Sequence, residues 1–273
     1  VFTVIKPTEF SSHTLWLTLK REAEETSQVE PILAGLMRES VIGAQNFSNA
    51  LARLLSLKLE SNGCSSVTLY EIFSACLAVN EDIAEAALRD LAAILQRDPA
   101  ATSCVVPFFF YKGYHALQAH RMAHQLWGEG RTPLAYFLQS RVSEKFGVDI
   151  HPAAKLGEGI MLDHATGIVI GETATVGDDV SILHAVTLGG TGSETGDRHP
   201  KIGSGVMIGA GAKVLGNITV GDCSRIAAGS VVLQSVPPCV TVAGAPARIV
   251  GQAGCDKPAS AMDQMLPKEF MAK

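Results

Sequence analysis

The sequence contains no block of basic residues. Lys and Arg total 22 against 27 Asp and Glu, for a formal net charge of −5. That balance lacks the basic stripe with which proteins neutralise a phosphate backbone, so no nucleic-acid partner is expected. No apolar run approaches the ~20 residues of a membrane-spanning helix, so no membrane association is expected either. The six cysteines (Cys64, Cys76, Cys104, Cys223, Cys239 and Cys255) include no C-x-x-C pair and no zinc-ligand spacing. A chain of 273 residues needs no disulfide or metal to staple it, because at this size roughly 75% of the unfolded surface is buried on folding. The cysteines therefore read as reduced thiols and, with no cleavable signal pattern at the start, the expected location is cytoplasmic. Opening on Val1 rather than Met, the sequence is expected to be a trimmed form. Charged residues are scarce at 18% while hydrophobic residues reach 47%, which excludes extensive disorder.

Gly is abundant, and most of the 26 glycines fall after residue 156. That asymmetry predicts two architectures in one chain. Residues 7 to about 146 carry helical patterns, with segments near 30–43 and 46–60. A capping box at Thr68-Leu69-Tyr70-Glu71 predicts the next helix start. Another helix starts at Asn80-Glu81-Asp82, with Ile83, Ala86, Leu88, Leu91, Ile94 and Leu95 on one face, and ends at Asp98-Pro99. Two more run from Tyr111 to Leu126 and from Thr132-Pro133 toward Phe146. His115, His120 and His124 share one of these helices and read as structural or surface residues, since no further metal ligand is placed beside them.

The second half repeats every six residues. Ile150, Leu156, Leu162 and Ile168, then Val176, Ile182 and Leu188, then Ile202, Ile208, Val214, Val220, Ile226 and Val232 form thirteen positions, all Ile, Leu or Val. A six-residue period fits neither a helix nor a hairpin. It fits short strands that turn a corner after each hexad, so that three strands close an 18-residue triangular coil and stacked coils pair in parallel at about 4.8 Å. About four coils are expected.

The repeat breaks twice. Residues 190–201 leave the coil as a polar, glycine-rich loop ending in Asp197-Arg198-His199-Pro200-Lys201, where a cation beside an imidazole suits carboxylate binding. Asp163-His164 stands where other hexads carry small residues. His184 lies one coil further on the same edge, and Asp149 just precedes the first hexad. An imidazole held by a carboxylate is a general-base arrangement.

Asp149-Ile150-His151-Pro152-Ala153-Ala154-Lys155, Gly159-Ile160-Met161-Leu162-Asp163-His164-Ala165-Thr166-Gly167 and Gly196-Asp197-Arg198-His199-Pro200-Lys201 resemble the serine O-acetyltransferases of the hexapeptide-repeat acyltransferase superfamily. Arg97-Asp98-Pro99-Ala100, Tyr111-Lys112-Gly113-Tyr114-His115 and Ala243-Gly244-Ala245-Pro246-Ala247-Arg248 extend the resemblance over most of residues 10–250. It implies an α+β chain: a helical domain over 1–146 that contributes to oligomerisation and to the serine site, a left-handed parallel β-helix over 147–250 carrying the catalytic site and loop 190–201, and an irregular tail over 251–273. The implied reaction moves acetyl from acetyl-CoA, a co-substrate, to the L-serine hydroxyl, the first step of cysteine synthesis from serine, with no metal. His164 matches the general base and Asp149 its partner carboxylate. Asp98 and Asp163 match the residues that hold the serine ammonium, Arg198 and His199 those that hold its carboxylate, and Gly190, Ala210 and Arg225 the CoA contacts, with Arg225 where the family usually has Lys. The resemblance further implies feedback inhibition by L-cysteine, assembly into trimers or dimers of trimers, and docking of O-acetylserine sulfhydrylase onto a tail ending in Ile. This chain ends Glu269-Phe270-Met271-Ala272-Lys273, without that residue.

Three other readings of the same residues are an acetyltransferase for a sugar or antibiotic acceptor, a zinc enzyme with His151, His164 and His184 as ligands, and a silent scaffold.

Overall fold

The computed structural model describes residues 11–192, 195–254 and 256–265. The chain opens with α1 (Ser12–Val29), started where the Ser11 hydroxyl accepts the Thr14 N–H at 3.2 Å. Residues 30–43, expected as one helix, instead form a 3-10 turn (Pro31–Leu33), α2 (Ala34–Met37) and a π-type turn (Arg38–Ile42). α3 (Phe47–Leu59), α4 (Ser66–Val79), α5 (Asp82–Arg97), α6 (Val105–Phe110), α7 (Lys112–Gly128) and α8 (Thr132–Phe146) complete the helical half. The cap of α4 is Ser65 rather than Thr68: Ser65 is extended, and its hydroxyl accepts the Thr68 N–H, which places Thr68 inside the first turn. α5 buries Ile83, Ala86, Leu88, Leu91 and Ile94 of the face its periodicity marks, and leaves Leu95, the sixth, half-buried.

Gly147, at φ 67°, ends α8 in the left-handed conformation, and the coil begins at once. Its first face stacks β1 (Val148–Ile150), β4 (Ile168–Ile170), β7 (Thr187–Gly189), β10 (Lys213–Leu215) and β13 (Val231–Val232). The second stacks β2 (Lys155–Leu156), β5 (Thr175–Val176), β8 (Lys201–Ile202) and β11 (Thr219–Val220). The third stacks β3 (Met161–Leu162), β6 (Ser181–Ile182), β9 (Met207–Ile208), β12 (Arg225–Ile226) and β14 (Val240–Gly244), and an antiparallel β15 (Ala247–Gln252) closes it. All other pairings in the coil are parallel, so this is the expected parallel β-helix, consistent with the left hand that the family resemblance implies. It reaches about five turns rather than four, because β14 adds a rung after the irregular spacing that follows Val232. Of the thirteen hexad aliphatics, twelve are buried and Leu156 is half-buried. Burying such side chains is worth about 1.5–3 kcal/mol each, and their stack forms the prism core.

The halves are joined by buried polar groups. The Asp90 carboxylate, fully buried on α5, accepts from Gln118 at 2.9 Å, from Arg121 at 2.7 Å and from the Ile160 N–H at 2.8 Å. Arg121 also donates to the Gly157 carbonyl at 2.7 Å. The buried Arg97 donates to Asp179 at 3.0 Å and to Ser181 at 3.2 Å. A Cβ at Gly113 would stand 2.1 Å from the Leu162 carbonyl oxygen, so only glycine lets α7 lie this close to β3. The α7 histidines serve packing and attachment. Burial drives His115 and His120 down to about 3, which keeps both neutral, and His124 bonds the Pro152 carbonyl at 2.7 Å. After β15 a single helical turn, α9 (Pro258–Ala261), docks on the coil, where the Ala259 carbonyl accepts from Ser181 at 2.9 Å. The chain's last residues, Glu269 to Lys273, lie outside the described residues.

Candidate active site

Two edges of the prism carry the residues singled out above. The edge between the third and first faces holds Asp163 and His164, then His184, then Ala210 one rung further. The register is direct: Ala185 N–H donates to the Thr166 carbonyl, Gly211 to His184 and Gly229 to Ala210. His164 and His184 meet edge to face with ring centroids 5.9 Å apart, as expected for residues one coil apart. The His164 side chain is 76% exposed, and its backbone holds a left-handed φ of 54° that turns the imidazole outward at the corner. Its Nε2 lies 3.9 Å from the Asp163 carboxylate.

The helical half supplies a second carboxylate here. Asp98 ends α5, where its own side chain accepts the Ala100 N–H at 2.8 Å. The phenol of Tyr111, immediately before α7, lies near Asp98. Burial first, then the Asp98 and Asp163 carboxylates, push that phenol up to about 12, so it remains a donor. Burial also raises Asp163, and the nearby Asp98 carboxylate adds to this while His164 and His184 oppose it. Lys112 bonds the Thr166 hydroxyl across the same junction. The result is an acidic pocket of two carboxylates beside an accessible imidazole, which can hold an ammonium group next to a base. Tyr111 carries no catalytic signature in sequence. Its one signal is its place directly before the helix start that packs on β3.

The edge between the first and second faces holds the insertion. Arg198 pairs with Glu172 at 2.7 Å, and its guanidinium holds Glu172 below the usual carboxylate range. His199 is buried against Gly171, where a Cβ would stand 2.0 Å from the ring. The Nδ1 of His199 accepts the Thr173 N–H at 3.2 Å, which leaves its proton on Nε2. Lys201 ties the base of the loop to the Thr173 carbonyl and to Asp197. Gly190 lies against the Arg198 stem, 3.5 Å from its Cγ were a Cβ present. His151 stands on this same edge, packed on Trp127 and Tyr136.

One chain does not bring these edges together. The strands of the first face lie between them, and three residues of strand already span about 10 Å. Asp149 lies on that face, on β1, and its carboxylate accepts from Gln139 at 2.6 Å. Among the described residues no hydrogen bond or ion pair joins it to His164. Arg225, on the third face, is buried, bonded to Thr241 at 3.2 Å and to the Asp263 carbonyl at 2.7 Å, so the chain's own segment now covers its guanidinium. A zinc site of His151, His164 and His184 does not form within one chain, because the first of the three sits on the other edge. A cavity of about 290 Å³ lined by His120, Arg121 and Asp178 lies elsewhere, between α7 and the coil, and contains none of the predicted site residues.

A family model described as "Serine acetyltransferase, N-terminal" matches residues 15–119, and one described as "Bacterial transferase hexapeptide (six repeats)" matches 199–234. The serine acetyltransferase of Salmonella typhimurium is 53% identical over 250 residues, 92% of each chain. The chain belongs to the serine acetyltransferase family. The solved serine acetyltransferase of Vibrio cholerae superposes with a TM-score of 0.92 at 51% identity, covering 93% of this chain and 99% of that one. The serine acetyltransferase of Neisseria gonorrhoeae, solved in complex with serine, gives a TM-score of 0.85 at 51% identity, covering 88% and 98%. His164 and His184 are both exposed imidazoles of the third–first edge, and His164 is the one with a carboxylate, Asp163, 3.9 Å from its Nε2.

Proposed function

We propose that this serine acetyltransferase family member builds its active site between copies, joining the His164 edge of one chain to the Arg198 edge of the next. The observation that carries this is the split itself: ammonium-binding carboxylates and base on one edge, carboxylate-binding cation on the other, with the first face between them. L-serine carries both charges a few ångströms apart, so one bound serine must touch both groups of residues. A second copy presenting its loop to the first satisfies that need, and it also brings Asp149 of one chain toward His164 of another. Closed rings are the ordinary outcome of such a head-to-tail contact, so we place three copies around an axis, with two such rings joined through the helical halves.

In this site Asp98 and Asp163 hold the serine ammonium, and Arg198 and His199 hold its carboxylate. Serine Oγ attacks the thioester carbonyl of acetyl-CoA as its proton passes to the His164 imidazole. The tetrahedral intermediate collapses with cleavage of the C–S bond, and the imidazolium returns the proton to the departing CoA sulfur. O-acetylserine and free CoA leave. Asp149 orients the imidazole, and main chain at Gly190 and Ala210 contacts the coenzyme. Arg225 reaches a CoA phosphate once the segment around Asp263 lifts away. A Brucella abortus relative solved with coenzyme A supports the co-substrate, and a relative solved with cysteine supports inhibition by L-cysteine. Cysteine has the charges of serine with a thiol for the hydroxyl, so it fits the same contacts and competes with serine. The unpaired thiols of the described residues support a reducing, cytoplasmic setting.

The primary test is release of free CoA thiol from acetyl-CoA. It should require L-serine, be competitively inhibited by L-cysteine, and fail with a galactoside as acceptor. Galactoside-dependent release would favour the sugar reading instead.

Arg198→Ala removes charge-assisted hydrogen bonds worth about 1.5–3 kcal/mol. It should raise KM for serine by roughly 10–150-fold with a smaller effect on kcat, and an unchanged KM would remove the loop from the site. At serine concentrations well below the raised KM of Arg198→Ala, mixing His164→Ala and Arg198→Ala chains during refolding should give more activity than the two variants sum to separately, because some contacts then pair an intact His164 edge with an intact Arg198 edge. No recovery in mixed oligomers would place each site within one chain.

Asp163 also sets a pH dependence. Its carboxyl is raised, so on acidification it becomes neutral at a higher pH than an ordinary carboxylate and loses its hold on the ammonium. KM for serine should climb as pH falls through that transition, and Asp163→Asn should abolish the climb while starting from a weaker KM.

A further inference from the structure

The edge between the second and third faces bears a column of residues that the reaction does not use. Asp179 N–H donates to the Glu158 carbonyl, Gly205 to Asp178, Cys223 to Ser204 and Cys239 to Asp222, so Gly159, Asp179, Gly205, Cys223 and Cys239 occupy equivalent places on successive rungs. Each has a left-handed backbone, with φ of 66°, 57°, 68°, 54° and 59° in that order. Such a position favours glycine, with Asp and Asn next, because a Cβ crowds the adjoining carbonyl. Cysteine has no local advantage there, yet cysteines fill the last two places of the column, one directly above the other.

Side chains in this column lean toward the preceding rung, which aims Cys239 at Cys223, while the Cys223 sulfur, turned toward Gly205, reaches Cys239 by rotation about χ1. A Cβ on Gly205 would meet Cys223 Sγ at 3.2 Å, and one on Gly159 would meet the Asp179 carboxylate at 2.6 Å. Adjacent rungs stand about 4.8 Å apart, inside the 4.4–6.8 Å that a disulfide requires between Cα atoms. The Cys239 thiol is close enough to Cys223 to act on its titration. Both are free, Cys239 exposed and Cys223 half-buried.

We propose that Cys223 and Cys239 form a reversible intrachain disulfide, made by a low-molecular-weight disulfide such as oxidised glutathione, that staples β12 to β14. The exposed Cys239 thiolate attacks one sulfur of the oxidant, forming a mixed disulfide and releasing one small thiol. The Cys223 thiolate then attacks the Cys239 sulfur and displaces the second. Two S–H bonds are lost and one S–S bond forms, and both protons and both electrons leave on the two small thiols. Burial, Cys239 and the Asp222 and Asp256 carboxylates hold the Cys223 thiol up. Cys223 therefore acts as the resolving group, working through proximity, and Cys239 as the first nucleophile.

The position of the staple defines its effect. Cys223 stands two residues before Arg225 and Cys239 two before Thr241, and Arg225 links Thr241 to Asp263 of the segment that follows. The disulfide braces the rung pair on which residues 256–265 are anchored.

The full chain is incubated with oxidised glutathione, blocked with an alkylating agent, digested without reduction and mapped by mass spectrometry. The expected product is a Cys223–Cys239 linked peptide that dithiothreitol removes, with a Tm several degrees above that of the reduced protein, since closing a loop of about one coil restricts the unfolded chain. Cys223→Ser and Cys239→Ser should each abolish the linked peptide and the Tm increase while leaving serine acetylation unchanged. Stable glutathione adducts on both cysteines, a bond to Cys255 or to another chain, or a linked peptide with no change in Tm would overturn the proposal. The mapping uses the unsubstituted protein and so does not depend on either variant folding.

Discussion

His164→Ala is expected to lower kcat by about 10²–10⁴-fold, the contribution of a positioned general base, with the fold unchanged. The reason for the second half of that expectation is structural. The side chain is 76% exposed at a corner of the coil, so its removal opens no cavity and leaves no buried partner unpaired. Alanine also tolerates the site's backbone, since Ala165 and Ala185 adopt the same left-handed φ on this edge. Steady-state kinetics at saturating serine, with circular dichroism and gel filtration as controls, measure the effect. If kcat stayed within a few-fold of the parent, the proton would have to pass to another group, and His184, with its ring 5.9 Å away, is the neighbour to replace next.

Asp90→Ala is expected to be the most damaging substitution outside the site, at about 3–5 kcal/mol, the range for breaking a buried ion pair by removing one partner. Arg121 and Gln118 would lose their shared acceptor and the Ile160 N–H would be left unpaired beneath α5. At roughly 2–4 °C per kcal/mol for a chain of this size, Tm should fall by about 6–20 °C. Asp90→Asn retains an acceptor oxygen and should cost less. Equal losses for Ala and Asn would mean that the charge, rather than the hydrogen bonds, joins the two halves. The same pair also reports on the site: Asp90 fixes α5 against the coil and Asp98 lies one helix end away, so a destabilised variant that still folds should show a raised KM for serine.

How far the sequence could be read depended on whether a residue's role is local. The hexad aliphatics announce the prism because each rung repeats the same inward position, and twelve of the thirteen are buried. His164 and His184 could be stacked in advance because the coil length converts sequence distance into height along one edge. The α4 cap was misplaced, since Ser65 and Thr68 are both capping residues and only the extended backbone at Ser65 decides between them. The helix expected over 30–43 broke into short turns, beginning where Pro31 follows Glu30. The site contacts of Tyr111 and Glu172 could not be read. Each gains its role from a partner on another element, Asp98 in one case and Arg198 in the other.

The family motifs located the charged groups, and the structure showed how they are distributed. Asp149, His164 and Arg198 appear in sequence as one set of site residues. In the folded chain Asp149 is engaged by Gln139 on the first face, while His164 and Arg198 occupy opposite edges of it. A six-residue period specifies which side chains enter the prism, because inward burial is dictated rung by rung by hydrophobicity. It stacks outward groups along one edge, but it carries no information on which groups of different edges or elements face each other, because that depends on how a rigid prism presents its edges and what packs against them. Local patterning by itself determined the helical half and the coil, and the family resemblance supplied the candidate chemistry. The separation of that chemistry onto two edges, and the buried Asp90 and Arg97 contacts that fix the helices against the coil, arise from long-range packing and were decided only by the tertiary structure.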